Sequence, residues 1–396
     1  MLNEKNVNLG KVRSCIRELY EYASKRKAEI GAENVFDFSI GNPSVPAPPE
    51  VLTALEDLVK NTNPVVLHGY TSAQGGYGVR KVLADYINRR FETRLDADCL
   101  YMTCGTAASL TITLNALVNR GDQVITFAPY FPEYKVFCEH AGAKLVAVQS
   151  EEKTFRIDFD KFEKALNVKT KAVIINSPNN PSGVVYGAET IRRLAETLTA
   201  FSEKRGSPVY LISDEPYREL VFDDGTEVPY VMNYYAHSLV CYSYSKSLSL
   251  PGERIGYIAV NNAMDEYKDV YAGICGAGRA LGYVCAPALF QKLIERVYDK
   301  TSDINVYKFN RDKLCSALES YGFTVVKPDG AFYLFVKSPE ADAAAFAERA
   351  KKYEILFVPG DDFGCKGYVR VAYCVAPETI GRALPAFEAL AKSYNL

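Results

Sequence analysis

The sequence predicts an α/β protein with a large domain and a smaller one. The large domain is built on a mostly parallel sheet sandwiched by helices, and the smaller is α+β. Two observations carry this. Between residues 99 and 245, short apolar runs bounded by turn signals alternate with amphipathic helical stretches, as a parallel sheet covered on both faces requires. After about residue 285 the texture changes to a long helical stretch, then to strands and helices that suit a second, smaller sheet.

The elements follow in order. Residues 10–30 read as a helix with Val12, Ile16, Leu19, Tyr20 and Ala23 on one face. FDFSIGNPSVPAPPE ends it, because Gly41 and four prolines within ten residues mark an extended loop. Strands are expected at 99–104, 123–127, 144–148, 171–176, 209–213 and 238–245, with helices at 107–120, 131–141 and 189–205 between them. The helical stretch 287–319 is expected to run unbroken as the hinge between domains. Beyond it FTVVK, AFYLFVK, EILFVP and GYVRVAYCV read as strands, and 341–352 and 378–393 as helices. The expected division is 46–290 for the large domain, and 1–45 with 291–396 for the small one. No repeat or flexible linker interrupts the chain.

Composition excludes several function classes. The chain has 396 residues, 48 % of them hydrophobic, enough for one large core or two adjoining cores. Its 46 basic residues face 48 acidic ones, and no basic stripe of the kind that binds nucleic acid is visible. No apolar run is long enough to span a bilayer. The first residues, MLNEKNVNLGKVRS, lack the apolar stretch of a signal peptide. Ten cysteines at irregular spacings and three histidines make a metal site a poor expectation. Reduced thiols in a cytoplasmic enzyme are the plain reading.

In open α/β sheets, ligands sit outside the carboxyl ends of the strands, so the residues after each apolar run are the informative ones. KAVIIN leads to SPNNPSG with Asn180, and VYLIS leads to Asp214-Glu215-Pro216-Tyr217. SLVCY leads to SYSKSLSLPGERIGY with Lys246, and CLYMTC leads to Gly105-Thr106 at the start of a helix. Alone, each has an ordinary structural reading. Asn-Pro is a turn, a strand-end aspartate is a cap, most lysines are solvated, and Gly-Thr is an N-cap. Together they bring an anion-binding helix end, a carboxylate, an amide and a lysine to one sheet edge.

SPNNPSG, SDEPY and SYSKSLSLPGERIGY, in that order and spacing, resemble the fold-type I pyridoxal-phosphate (PLP) enzymes of the aspartate aminotransferase-like group (class I/II aminotransferases). The resemblance covers nearly the whole length, from FSIGNPSVPAP to GYVRVAYC. It implies a seven-stranded large-domain sheet, PLP as cofactor and no metal. Lys246 would be the lysine that binds the cofactor aldehyde. Gly105, Thr106, Ser243, Arg254 and, more weakly, Ser245 would hold the phosphate. Asp214 would pair with the ring nitrogen, Asn180 and Tyr217 would bind the ring 3′-oxygen, and Phe131 would stack on the ring. Tyr70 is similar to a tyrosine that reaches the neighbouring subunit's phosphate, implying a homodimer with active sites at the interface. Arg370 would clamp the substrate α-carboxylate, with Gly41 and Asn42 close by.

The implied reaction is ping-pong transfer of an amino group from an L-amino acid to a 2-oxo acid such as 2-oxoglutarate. Arg279, 33 residues after Lys246, resembles an arginine that recognises a distal carboxylate from the partner subunit, which favours aspartate. Two alternatives stay open: an aromatic amino acid aminotransferase, and a carbon–sulfur β-lyase of the cystathionine type, since both begin by removing the α-proton.

Overall fold

The computed structural model describes residues 2–11 and 15–396. The first strong helix is Cys15–Ile30, so Ile16, Leu19 and Ala23 fall on it, whereas the expected core position Val12 lies outside the described residues.

A seven-stranded sheet forms the centre of the larger unit. Its spatial order is Leu100–Thr103, Gly256–Val260, Ser238–Ser243, Tyr210–Asp214, Thr170–Asn176, Gln123–Ala128 and Lys144–Gln149. Gly256–Val260 runs antiparallel to both neighbours and the other pairings are parallel, so the sheet is mostly parallel, as expected. Successive side chains of a strand point to opposite faces. Ile125, Val173, Leu211 and Val240 accordingly enter one core, and Val124, Ile174, Ile212 and Cys241 enter the other. Helix Thr106–Leu117 packs on the second face with helix Tyr267–Ala280.

A four-stranded antiparallel sheet, ordered Val358–Pro359, Tyr368–Ala372, Tyr333–Lys337 and Val325–Val326, carries a third core with helices Asn305–Ser320 and Pro377–Lys392. The N-terminal segment joins this end of the molecule, because Phe36–Asp37 pairs in parallel with Ile355–Leu356.

The structure corrects four details of the expected elements. The strand Gly256–Val260 was not among those read from the sequence. EILFVP is split between two sheets. The run 238–245 leaves the sheet after Ser243 and turns into the short helix Tyr244–Ser247. The stretch 287–319 is two helices, Ala288–Val297 and Asn305–Ser320; Asp303 accepts from the Asn305 amide at 3.0 Å and ends the intervening turn. Leu293, Ile294 and Val297 of the first helix pack in the core of the seven-stranded sheet, so the expected division at residue 290 falls inside an element of the larger unit.

Candidate active site

Parallel strands end together: Asn176 and Asp214 do so side by side, and the next strand runs two residues past Cys241, the partner of Asp214, to end at Ser243. Asn176 fastens two of the neighbouring loops. Its Nδ2 donates to the Asp214 carbonyl at 2.9 Å, and its Oδ1 accepts from the Asn180 amide at 2.7 Å. The strand ends open on a cavity of about 290 Å³ whose lining includes Gly41, Thr106, Phe131, Asn180, Asp214, Tyr217, Ser243, Ser245, Lys246, Arg254 and Arg370.

One wall is built to hold an anion. Helix Thr106–Leu117 presents its N-terminus there, where amides without intrahelical partners carry partial positive charge. Thr106 Oγ1 is buried without a hydrogen-bond partner. Ser243 caps the Tyr244–Ser247 helix by accepting from the Ser245 amide at 3.1 Å, and the two serine hydroxyls are 2.7 Å apart. Arg254 Nη1 donates to Ser245 Oγ at 3.4 Å and to the Pro251 carbonyl at 2.9 Å. Arg254 has φ +52°, a left-handed conformation that costs a side-chain-bearing residue about 1–3 kcal/mol and is held only where the surroundings enforce it. Gly105 lies outside the cavity lining but makes room for this arginine: a Cβ there would sit 2.7 Å from Arg254 Nη2.

The opposite end carries Asp214, 4 % exposed. Tyr134 donates to its Oδ2, and its Oδ1 is buried with no partner. Burial raises the Asp214 pKa to about 7, opposed by the Tyr134 hydrogen bond and reinforced by the nearby Glu215 charge. Lys246 reaches across the cavity floor and donates to the Gly41 carbonyl at 2.7 Å. Burial pulls its pKa down to about 8, with Arg254 and Arg370 acting in the same direction and Cys374 against it.

Arg370 comes from the four-stranded sheet, 2 % exposed rather than on an open edge. Its Nη1 donates to Asn180 Oδ1 at 3.1 Å and its Nη2 to the Ser39 carbonyl at 2.6 Å, while Nε has no partner. Tyr333 and Phe363 flank the guanidinium, with ring centres 4.7 and 4.9 Å from it. Tyr333 also shares a 2.9 Å hydrogen bond with Tyr217.

Besides Gly105, three expected residues do not line the cavity of their own chain. Asn42 is exposed; its side chain reaches no farther than the Pro43 carbonyl at 3.5 Å, because the proline-rich loop turns it outward. Tyr70 is fully exposed, and Arg279 is exposed near the end of helix Tyr267–Ala280. Conversely, Asn176, Tyr134 and Tyr333 were not singled out in the sequence: Asn176 closes an apolar run as an ordinary strand end, and the two tyrosines read as core. Among the described residues there is no group of three or more histidine, cysteine or acidic side chains able to hold a metal, and all ten cysteines are free. No described helix is long and apolar enough to cross a membrane.

Fold and cavity together define an α/β enzyme that gathers a buried lysine, a carboxylate and an anion cup at the strand ends of its sheet. The chain belongs to the class I and II aminotransferases, whose family model matches residues 33–387, and it is a transaminase. A solved aminotransferase structure from Eubacterium rectale is 54 % identical, with TM-score 0.97 and 100 % of each chain covered. The aspartate aminotransferase of Thermotoga maritima is 31 % identical, covering 94 % of this chain and 96 % of its own length. A probable aspartate aminotransferase of Methanocaldococcus jannaschii is 29 % identical, covering 94 % and 95 %.

Proposed function

We propose that this transaminase uses PLP, held in the cavity above, to move an amino group from an L-amino acid, preferentially aspartate, to a 2-oxo acid such as 2-oxoglutarate. The observation that carries this reading is a set of three buried polar atoms without partners: Thr106 Oγ1, Asp214 Oδ1 and Arg370 Nε. Buried polar groups are normally satisfied, so these three ask for a ligand. A hydroxyl beside a helix N-terminus suits a phosphate, an unpaired carboxylate oxygen suits a protonated ring nitrogen, and a free guanidinium N–H suits a carboxylate. PLP with a bound amino acid offers those three groups, so the residues fit it.

Bound PLP supplies an aldehyde that takes up the amino group and a ring that withdraws electrons from the substrate Cα. The chain's residues do the rest. Thr106, Ser243, Ser245 and Arg254 hold the phosphate, Phe131 covers the ring, and Asn180 and Tyr217 hydrogen-bond its 3′-oxygen. Asp214 keeps the ring nitrogen protonated. Arg370 fixes the α-carboxylate and so orients Cα. Lys246, its pKa lowered to about 8, loses its proton far more readily than an ordinary lysine of pKa 10.5. Its Nζ would take up the proton from the substrate Cα and hold it for the return transfer. A 2-oxo acid then receives the amino group by the reverse route.

The aspartate preference draws on the names of the two relatives above and on Arg279. Because Arg279 and Tyr70 are exposed on the single chain, they would serve a neighbouring site, which makes the working unit a homodimer. Tyr70 lies in the same stretch as exposed Val65, Val66 and Tyr77, an apolar surface suited to such an interface. A cytoplasmic location accords with ten free thiols.

The test is the visible spectrum of the purified protein with a panel of amino acids. A yellow protein whose band is lost with aspartate more readily than with phenylalanine, alanine or cystathionine, and which produces no pyruvate from cystathionine, is expected. Lys246→Ala should lose both the band and turnover. A colourless parent protein that gains no band on adding PLP would reject the cofactor; a band unmoved by aspartate would reject the substrate.

A further inference from the structure

We infer that Tyr134 is a positioning residue for the reaction: by donating to Asp214 Oδ2, it commits the other carboxylate oxygen, Oδ1, to the ring nitrogen of the bound cofactor. This rests on the reading of Asp214 given above.

The torsion that turns a carboxylate about its own axis is broad and roughly two-fold, so a buried aspartate has no intrinsic reason to present one oxygen rather than the other. The Asp214 backbone is fixed by Asn176, whose amide holds its carbonyl at 2.9 Å. Its side chain has Tyr134 as hydrogen-bond partner on Oδ2 and none on Oδ1. That asymmetry is built in by packing. Tyr134 is 1 % exposed on helix Glu133–His140, with its ring edge-on to Phe131 at 5.7 Å and nearly parallel to Tyr130 at 6.5 Å. The segment that carries Phe131 into the cavity thus also carries the clamp on Asp214, and one piece of chain sets both the face and the edge of the ring.

The chemistry of the donor matters as well. A lysine or arginine in place of Tyr134 would pair with the carboxylate and cancel the charge that the ring nitrogen needs. A phenol supports the ionised carboxylate while leaving its charge in place. Burial and the neighbouring Asp214 hold the Tyr134 pKa well above its ordinary value, so the hydroxyl stays a donor throughout the working range.

The experiment compares two cofactors on the full-length protein, stripped and reloaded with either PLP or the analogue whose ring nitrogen is replaced by C–H. Affinity is read by calorimetric titration, alongside turnover. Tyr134→Phe should weaken PLP binding by about tenfold or more, the usual worth of a hydrogen bond to a charged group, while shifting the analogue by less than about twofold. Asp214→Asn should show the same selectivity, more strongly. Tyr134→Gln, which restores an uncharged donor, should recover part of the PLP affinity without changing that of the analogue, and it serves the same comparison if the phenylalanine variant does not fold. Equal losses for both cofactors in the Tyr134 variants, with selectivity kept by Asp214→Asn, would overturn the inference alone. Loss of selectivity in Asp214→Asn itself would bring down the reading of Asp214, and the inference with it.

Discussion

Arg370 and Asn180 lie 190 residues apart in the chain, yet Nη1 of the first donates to Oδ1 of the second at 3.1 Å across the mouth of the cavity. The contact joins the four-stranded sheet to the strand ends of the seven-stranded one, so the two units meet at the point where substrate would bind. Arg370 lines the cavity, and its Nε is left without a partner.

Substituting Arg370 should therefore damage binding of the amino acid more than binding of the cofactor. Lysine keeps the charge but loses the planar fork that meets two carboxylate oxygens at once. Arg370→Lys is expected to lower kcat/KM by roughly 30-fold or more, and Arg370→Ala by up to several thousand-fold, in line with the 2–5 kcal/mol lost when one member of a buried charge pair is removed. The visible band of the bound cofactor should persist in both. Steady-state kinetics with the preferred amino acid decide it: a KM unchanged in the alanine variant would remove Arg370 from the substrate site.

Two buried charges make the stability of the cofactor-free protein depend on pH in a particular way. The folded-state pKa of Asp214 is raised to about 7 from an ordinary value near 4, so its contribution is full below about 4 and lost as pH rises through about 7. That of Lys246 is lowered to about 8 from 10.5, so its contribution is full above 10.5 and lost as pH falls through about 8. The two curves leave a trough between about 7 and about 8, where both groups are charged and buried. Cofactor binding engages both, so the rise in Tm on adding PLP should be largest within that interval. A PLP-induced shift that is flat from pH 5 to about 10 would contradict the burial of these charges.

The parts of this architecture legible in the sequence are those where one local rule acts alone. The apolar stretches Ala172–Ile175 and Tyr210–Ile212 are continuous because both faces of a parallel sheet are covered, and the polar residues that follow them stand out against that background. Gly256–Val260 was hidden by its first residue. Glycine is poor in strands, but here a Cβ would lie 2.2 Å from the Tyr242 carbonyl, so close strand packing demands it. The break inside EILFVP escaped because a three-residue shift moves the chain from one sheet to another, and apolar periodicity cannot register that. Lys246, Asp214 and Asn180 were readable as polar residues where the pattern called for a strand end. Tyr134 and Tyr333 were not, since a tyrosine whose ring packs in the core carries no outward sign that its hydroxyl serves the site.

The close approach of Gly41 to Tyr333 gives a prediction that joins packing to binding. Gly41 supplies the carbonyl that Lys246 holds, and a Cβ at this position would lie 2.0 Å from Tyr333 Oη and 2.9 Å from its Cζ. Tyr333 cannot retreat freely, because its hydroxyl is bonded to Tyr217 and its ring lies beside the Arg370 guanidinium. Gly41→Ala should therefore displace the 41 loop rather than the tyrosine, at a cost of about 1–3 kcal/mol for an overpacked core. Moving that loop shifts the Lys246 contact, so kcat should fall along with Tm. Tyr333→Phe removes the nearest atom but leaves the ring, so the double variant should recover part of the lost Tm and less of the lost kcat. Thermal unfolding and single-turnover rates on the four proteins of this cycle test it: fully additive effects would mean that the two residues do not press on each other.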